Sequence, residues 1–378
     1  MIVNLLSYVH LRNIYRSTGV GRVARELTEQ MALRPDVRLK VLADREDHAR
    51  VIEKVGGPWP GFDYRFMERP TSRQQAVWFL RNAPVAESYW PECEVVYCTA
   101  ESYVPVRRAK LAVACHDMQL FEPGAHAMSR WLLQQRAKWW LLFRRLAAKA
   151  DMFHAISEFS AERMAHFFPA VRDRLRVVPN AVSESFFLPP TAAGRKLLGE
   201  LGVADRPYVL VPGGLHHRKN AEVILKAWPL IQERMPELRL VIASHNSPEY
   251  IPQAEVLAPS LVLAGLQEEQ GIVALYHGAQ AVWFPSRYEG FGMPVLEAMA
   301  TGAPLVTSNV SAIPEVAGGA AAALVDPNRP GDHVEAIVGL LNDSGAQARA
   351  RALGRARAAE FRWSRSAGML VEAFRGLL

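Results

Sequence analysis

Short runs of β-branched and aliphatic residues recur along the chain, separated by longer stretches whose apolar positions return every three or four residues. The first pattern fits strands buried on both faces and the second fits amphipathic helices that cover them, so the alternation predicts parallel sheets flanked by helices. An opening strand at Ile2–Leu6 is followed by strands expected at Val37–Leu42, Glu94–Thr99, Lys110–Cys115, Met152–Ile156 and Leu175–Val178. The rhythm then restarts at Tyr208–Val211, Leu238–Ala243, Leu261–Leu263, Ala281–Phe284 and Pro304–Thr307. Two series imply two doubly wound domains facing one another, in keeping with 378 residues, a length above the usual single core. The divide is expected between Ser185 and Arg206, where Pro189 and Pro190 interrupt the pattern. A last amphipathic helix from about Arg365 to Leu378 is expected to cross back onto the first domain.

Folds of this kind bind ligands beyond the carboxyl ends of their strands, so the chemistry must be read from four strand-end loops. The strand Ala281–Phe284 breaks into Pro285-Ser286-Arg287-Tyr288-Glu289-Gly290-Phe291-Gly292-Met293-Pro294, and Glu297 follows. Gly290, Gly292 and Pro294 forbid one continuous helix between the two glutamates, which therefore arrive from a loop and from the first turn of a new helix. Acceptor-only carboxylates beside glycine-exposed backbone N–H groups suit a polyhydroxylated ligand. After Tyr208–Val211 come Gly213, Gly214, His216, His217, Arg218, Lys219 and Asn220. Two adjacent cations at the start of a helix are phosphate-binding chemistry, with Arg218 able to fork onto two oxygens and Lys219 adding a compact charge. The bland alternative is a solvated basic turn with Asn220 as helix cap. His116 and Asp117 stand just past the strand Lys110–Cys115, in a position that suits ligand contact, while Asp117 has the alternative of orienting His116 or capping a turn. Arg16-Ser17-Thr18-Gly19-Val20-Gly21-Arg22 precedes a helix over Val20–Met31, and its Gly-x-Gly lacks the full dinucleotide fingerprint, which argues against NAD.

Together these loops resemble glycosyltransferase family 4, retaining enzymes of the GT-B architecture, and the resemblance covers nearly the whole chain. It implies an α/β fold of two facing doubly wound Rossmann-like domains. Residues 1–188 with the terminal helix, about 361–378, would bind the acceptor, and residues 189–360 the nucleotide-sugar donor. It also implies that Glu289 contacts donor-sugar hydroxyls, Glu297 the ribose hydroxyls, and Arg218 and Lys219 the diphosphate. Gly214 and the backbone of Gly290, Phe291, Gly292 and Met293 would complete the donor site. His116 would lie beside the reacting centre, with Asp117 supporting it, and Gly19 and Arg22 would approach the donor phosphate. Donor charge would be met by cations, so no metal or other cofactor is expected, and the chain has no Asp-x-Asp motif. The stretch His116–Pro123 resembles mannosyl-transferring members, so GDP-mannose is the expected donor and a glycan or lipid-linked saccharide of surface polysaccharide synthesis the expected acceptor. A sugar-nucleotide epimerase on the same architecture and a catalytically silent nucleotide-sugar scaffold are the competing readings. Turnover of a donor separates the scaffold from an enzyme.

Composition narrows the setting. A formal charge of +6 and a pI near 9.3 attract anions without naming one, and no basic stripe interleaved with aromatics points to nucleic acid. Cys93, Cys98 and Cys115 lie in apolar strands without metal-ligand spacing, which suggests buried free thiols in a reducing compartment. No run approaches the roughly 20 apolar residues of a membrane span and no basic leader precedes the first strand, so a cytoplasmic location is expected. The segment 130–145 mixes tryptophans and cations at helical spacing. It is expected to be a domain helix with its tryptophans packed inside, the alternative being peripheral contact with an anionic membrane at the inner face.

Overall fold

Residues 2–16, 18–55, 57–123 and 129–378 are described by a computed structural model. The apolar runs form strands in every expected place. In the first series these are β1 Val3–Tyr8, β2 Val37–Ala43, β3 Tyr64–Phe66, β4 Val95–Cys98, β5 Lys110–Cys115, β6 Met152–Ala155 and β7 Leu175–Val177. The second series is β8 Tyr208–Val211, β9 Arg239–Ala243, β10 Leu261–Gly265, β11 Ala281–Phe284, β12 Leu305–Ser308 and β13 Ala323–Val325. The edge strands β3 and β13 are additions. Each has only three residues, with exposure at several positions, so neither carries the apolar run that marks a buried strand.

All pairings are parallel, and the orders are β3-β2-β1-β4-β5-β6-β7 and β10-β9-β8-β11-β12-β13. Apart from the extra β7, the two sheets repeat one arrangement. Central strands such as β4, β8 and β11 are buried at every position, because helices pack on both faces. The larger first-unit core gathers Leu6, Tyr8, Val96, Val113 and Phe153, and the second-unit core gathers Val209, Val211, Ile242, Trp283 and Trp228.

Among the described residues the first unit comprises those from 2 to 121, from 129 to 180 and Trp363–Leu378, and the second comprises Glu122, Pro123 and Ala181–Arg362. The division at 180 falls before the expected boundary at 188 and outside the interval from Ser185 to Arg206. The reason is packing: Phe186 is fully buried with its ring 5.8 Å from that of Tyr276, and the Ser185 hydroxyl donates to Glu269 at 2.7 Å. The terminal helix Trp363–Arg375 belongs to the first unit. There Phe374 is buried against Tyr97, Ser366 donates to the Pro179 carbonyl at 2.7 Å, and Arg375 pairs with Asp36.

One packing expectation is overturned. In the helix Arg130–Lys149, Trp139 packs on the core, but Trp131 and Trp140 are 60% and 45% exposed, with Leu133 and Leu141 beside them at 53% and 51%. The helix needs only the stripe of Leu132, Phe143 and Leu146 to seat it. No helix among the described residues is long and apolar enough to cross a membrane. Cys93, Cys98 and Cys115 are buried free thiols, as expected.

Candidate active site

In an open doubly wound sheet the strand order reverses at one point, and the loops beyond the carboxyl ends diverge there to leave a crevice. In the second unit that point lies between β8 and β11, which pair through Val209–Ala281 and Leu210–Val282. The loops that follow these two strands hold Arg218 and Lys219 on one side and Glu289 on the other. Their backbones are tied where the Arg287 N–H donates to the Arg218 carbonyl at 2.9 Å. Gly214 has φ +69°, and a Cβ there would lie 2.0 Å from the His245 carbonyl oxygen, so glycine is needed for the chain path itself. A Cβ on Gly213 would lie 3.0 Å from the Lys219 side chain, which lies over it and places the ammonium 4.6 Å from the Phe284 ring centre. Asn220 does not cap the following helix with its side chain. It adopts a left-handed conformation, and its Nδ2 donates to the carbonyls of Pro285 and Pro327, pinning the cationic loop to the β11 loop.

The three charged residues form one cluster. Glu289 Oε1 accepts from Arg218 Nη1 at 2.9 Å, from Lys219 Nζ at 2.6 Å and from Ser286 Oγ at 2.7 Å, and the Glu289 N–H donates to Ser311 Oγ at 3.0 Å. Arg218 also donates to the Tyr288 carbonyl. Glu289 and the cation pair, expected to hold the sugar and the diphosphate of one ligand, touch one another here because β8 and β11 are neighbours. Burial alone would raise the Glu289 carboxyl, but Arg218, Lys219 and the Ser286 hydroxyl outweigh it and hold it down at about 2. Burial and then the like charge of Arg218 draw Lys219 down to about 8, against the pull of Glu289. The asymmetry has a simple origin. One carboxylate is shared by two cations, so the acid gains from both while each cation also faces the other.

Glu297 is the fifth residue of the helix Met293–Thr301, so it stands in the second turn rather than the first. The helix starts at Met293 because Gly292, at φ +97°, takes a conformation that side chains resist, and Pro294 fits the opening turn. Glu297 is buried, and its Oε2 accepts from the Tyr276 hydroxyl at 2.8 Å. Gly290 and Phe291 are buried on the approach to this helix N-terminus, where backbone N–H groups lack intrahelical partners by geometry. Next to the cluster, His217 Nδ1 meets Glu222 at 3.0 Å and Arg287 at 2.9 Å, and Arg287 pairs with Glu222 at 3.0 Å. His216 Nδ1 meets Ser247 Oγ at 2.7 Å. Ser286, Ser311, Arg287, Glu222 and Tyr276 escaped sequence reading. Of these only Ser286 and Arg287 carried a signal, their place in the same strand-end loop as Glu289.

Comparison with known proteins decides the family. Residues 17–186 match the family described as Glycosyltransferase Family 4, and residues 206–343 match Glycosyl transferases group 1. The chain carries a Glycosyltransferase Family 4 region followed by a Glycosyl transferases group 1 region, and it is a glycosyltransferase. This glycosyltransferase is 25% identical to the O-antigen chain mannosyltransferase B of Escherichia coli, over 96% of its own length and 97% of that protein. It is 30% identical to the serotype-specific mannosyltransferase WbdA of Escherichia coli, over 61% of its own length, and spans only 29% of that longer protein. Its fold matches the crystal structure of Anabaena Alr3699/HepE in complex with UDP, with a TM-score of 0.73, 15% identity and full coverage of both chains. The fold is α/β, with two Rossmann-like domains of the GT-B class.

In the first unit of the glycosyltransferase, His116 follows β5 and is buried. Its Nε2 lies 2.9 Å from the Thr99 carbonyl, which can only accept, so the ring carries its proton there. Its backbone N–H donates to Glu101 at 2.6 Å. Asp117 caps a turn, its Oδ1 accepting the Gln119 N–H at 3.0 Å. Gly19 opens the helix Gly19–Ala32, capped by the Thr18 hydroxyl, and a Cβ there would meet nothing within 4 Å. Gly21 is a packing glycine, since its Cβ would clash with Asn13, and Arg22 lies one residue further along the helix. Ser17 lies outside the described residues. Among the described residues no three His, Cys, Asp or Glu side chains are grouped to hold a metal ion.

Removing the shared carboxylate leaves two cations close together in a largely buried site, so Glu289→Gln is expected to cost roughly 3 kcal/mol of stability at pH 7. Glu289 titrates near 2 in the folded chain against 4.5 for an ordinary glutamate. The wild-type advantage is therefore complete above about pH 4.5 and declines as pH falls toward 2. Urea midpoints of both proteins across this range test the sign, and a difference independent of pH would count against the ion cluster.

Proposed function

We propose that the protein is a retaining, metal-independent hexosyltransferase that moves mannose from GDP-mannose to a hydroxyl of a glycan or lipid-linked saccharide in surface polysaccharide synthesis. One observation carries the reading: two cations share one carboxylate oxygen at the switch point of the second unit. A diphosphate can take over Arg218 and Lys219 by charge-assisted hydrogen bonds, and Glu289 then turns its acceptor oxygens to the sugar hydroxyls. Glu297, held by Tyr276, accepts from the ribose. As the bond between the anomeric carbon and the phosphate oxygen breaks, its electron pair passes to the diphosphate, where Arg218 and Lys219 meet the charge. The acceptor oxygen bonds to the anomeric carbon from the same side, and its proton passes to the departing phosphate. His116, fixed by Thr99, presents Nδ1 as its lone-pair nitrogen when neutral and serves as a polar contact for the sugar. The mannosyl assignment is supported by the relatives named above, which are mannosyltransferases.

An anionic bilayer is the proposed location of the acceptor. The helix Arg130–Lys149 carries six Lys or Arg and no Asp or Glu, which equals the whole formal excess of +6. Those cations share the helix with the exposed Trp131, Leu133, Trp140 and Leu141, a combination suited to lying on acidic headgroups.

Lys219→Ala is expected to lower transfer about 100- to 1,000-fold in a donor-saturated assay with the fold intact, by loss of leaving-group stabilisation. Near-normal turnover would remove Lys219 from that role. In a thermal-shift panel of nucleotide sugars, GDP-mannose should give the largest stabilisation, and a preference for UDP-linked donors would overturn the mannosyl assignment. On liposomes, the protein should float with acidic vesicles at low salt, and Trp131→Ser with Trp140→Ser should abolish this. Absence of wild-type flotation would sink the membrane contact.

A further inference from the structure

We propose that His10 and Ser102, at the carboxyl ends of β1 and β4, form the recognition pair through which the first unit holds an uncharged polyhydroxyl compound, the glycosyl acceptor. The proposal rests on the glycosyl-transfer reading above. Its starting point is the repeat of sheet order: β1 and β4 flank the switch point of the first sheet, as β8 and β11 flank that of the second. In the second unit a side-chain cluster joins the two loops leaving that point. The first unit has an equivalent bond, between His10, two residues after β1, and Ser102, four residues after β4, with Nε2 and Oγ 2.7 Å apart.

The surroundings of this pair are built rather than incidental. The Thr99 N–H and hydroxyl both donate to the Tyr8 carbonyl, at 3.1 and 3.2 Å, which ties the β4 loop to the end of β1. From the other side His116 holds the same loop through the Thr99 carbonyl and Glu101. The Tyr8 ring meets the His10 ring edge-on at 4.9 Å and fixes its plane. Ser102 is 3% exposed, while His10 keeps part of its surface open.

What differs between the two switch points is charge. The second unit offers cations and a carboxylate, which suits phosphate. In the first, burial draws His10 down to about 4, so the imidazole is neutral at physiological pH. A neutral imidazole and a hydroxyl that share one hydrogen bond keep one further hydrogen to donate and lone pairs to accept, whichever tautomer is present. Among the described residues neither side chain has another hydrogen-bond partner, and one donor beside one acceptor is what a sugar hydroxyl requires.

The test uses the full chain with Ser102→Ala, His10→Phe and the more conservative His10→Gln. In transfer assays with mannobiose as the acceptor probe, Ser102→Ala and His10→Phe should raise the acceptor KM about tenfold, with His10→Gln between them and the wild type. The calorimetric Kd for GDP should stay within about twofold, which shows that the donor unit remains folded. An acceptor KM unchanged in both Ser102→Ala and His10→Phe would overturn the proposal. Direct binding of mannobiose by saturation-transfer NMR separates the two ideas. Wild-type binding lost in Ser102→Ala, without transfer from GDP-mannose by either protein, would support the site and refute the proposed mannosyl transfer. Wild-type binding retained in both Ser102→Ala and His10→Phe would refute the site, whatever the turnover.

Discussion

The second unit is organised around one carboxylate oxygen shared by two cations. Two cations cannot be brought together in a poorly solvated strand-end crevice unless something neutralises them, and Glu289 Oε1 does so within hydrogen-bonding distance of both. Much of the nearby chain holds this arrangement in place. Gly214 allows the loop after β8 to pass the His245 carbonyl, Asn220 ties that loop to Pro285 and Pro327, and Ser286 and Ser311 fix Glu289 at side chain and backbone. The neutralisation is also reversible in kind. A ligand that brings its own negative charge can replace the carboxylate without leaving either cation unpaired, while the displaced carboxylate turns to hydroxyl donors of the ligand, which links the resting geometry to the proposed binding of a diphosphate.

The repeated sheet order gives this chain two crevices of the same topological origin and opposite chemical character. Around β8 and β11 the bridging side chains are charged and interlocked, whereas the pair that bridges β1 and β4 is neutral, a histidine and a serine, with the neighbouring Glu101 engaged by the His116 N–H. Apart from β7, the sheet order is the same in both halves, so the fold alone would not distinguish their ligands, because ligand choice resides in a few residues beyond the strand ends. The surface helix Arg130–Lys149 adds a third feature, a local excess of positive charge interspersed with exposed tryptophans.

Most of the architecture was legible because buried parallel strands leave an unmistakable apolar run, as Val95–Cys98 and Ala281–Phe284 do. The edge strands Tyr64–Phe66 and Ala323–Val325 were not, since a strand exposed along one side has no need of that pattern. Arg218, Lys219, Glu289 and Glu297 were recognisable from residue type and from the glycines beside them. Their mutual contact was not, because it depends on β8 and β11 being neighbours although they are distant in sequence. The exposure of Trp131 and Trp140 was misjudged for a related reason: helical spacing says which residues share a face, but not whether another element covers it. His10 and Ser102 left no motif at all. A single histidine and a single serine acquire meaning only when the sheet order places them on either side of a switch point.

The central claim is that Arg218, Lys219 and Glu289 constitute a diphosphate site held in a self-neutralised state. The most direct measurement is the titration of the Lys219 ammonium by NMR of isotopically labelled lysine, with the resonance assigned by Lys219→Arg, in the absence and presence of GDP. In the free protein Lys219 should titrate near 8, the value to which burial and Arg218 draw it. With GDP bound, negative charge next to the ammonium should move the titration clearly upward. A Lys219 titration that saturating GDP leaves unchanged would contradict the account.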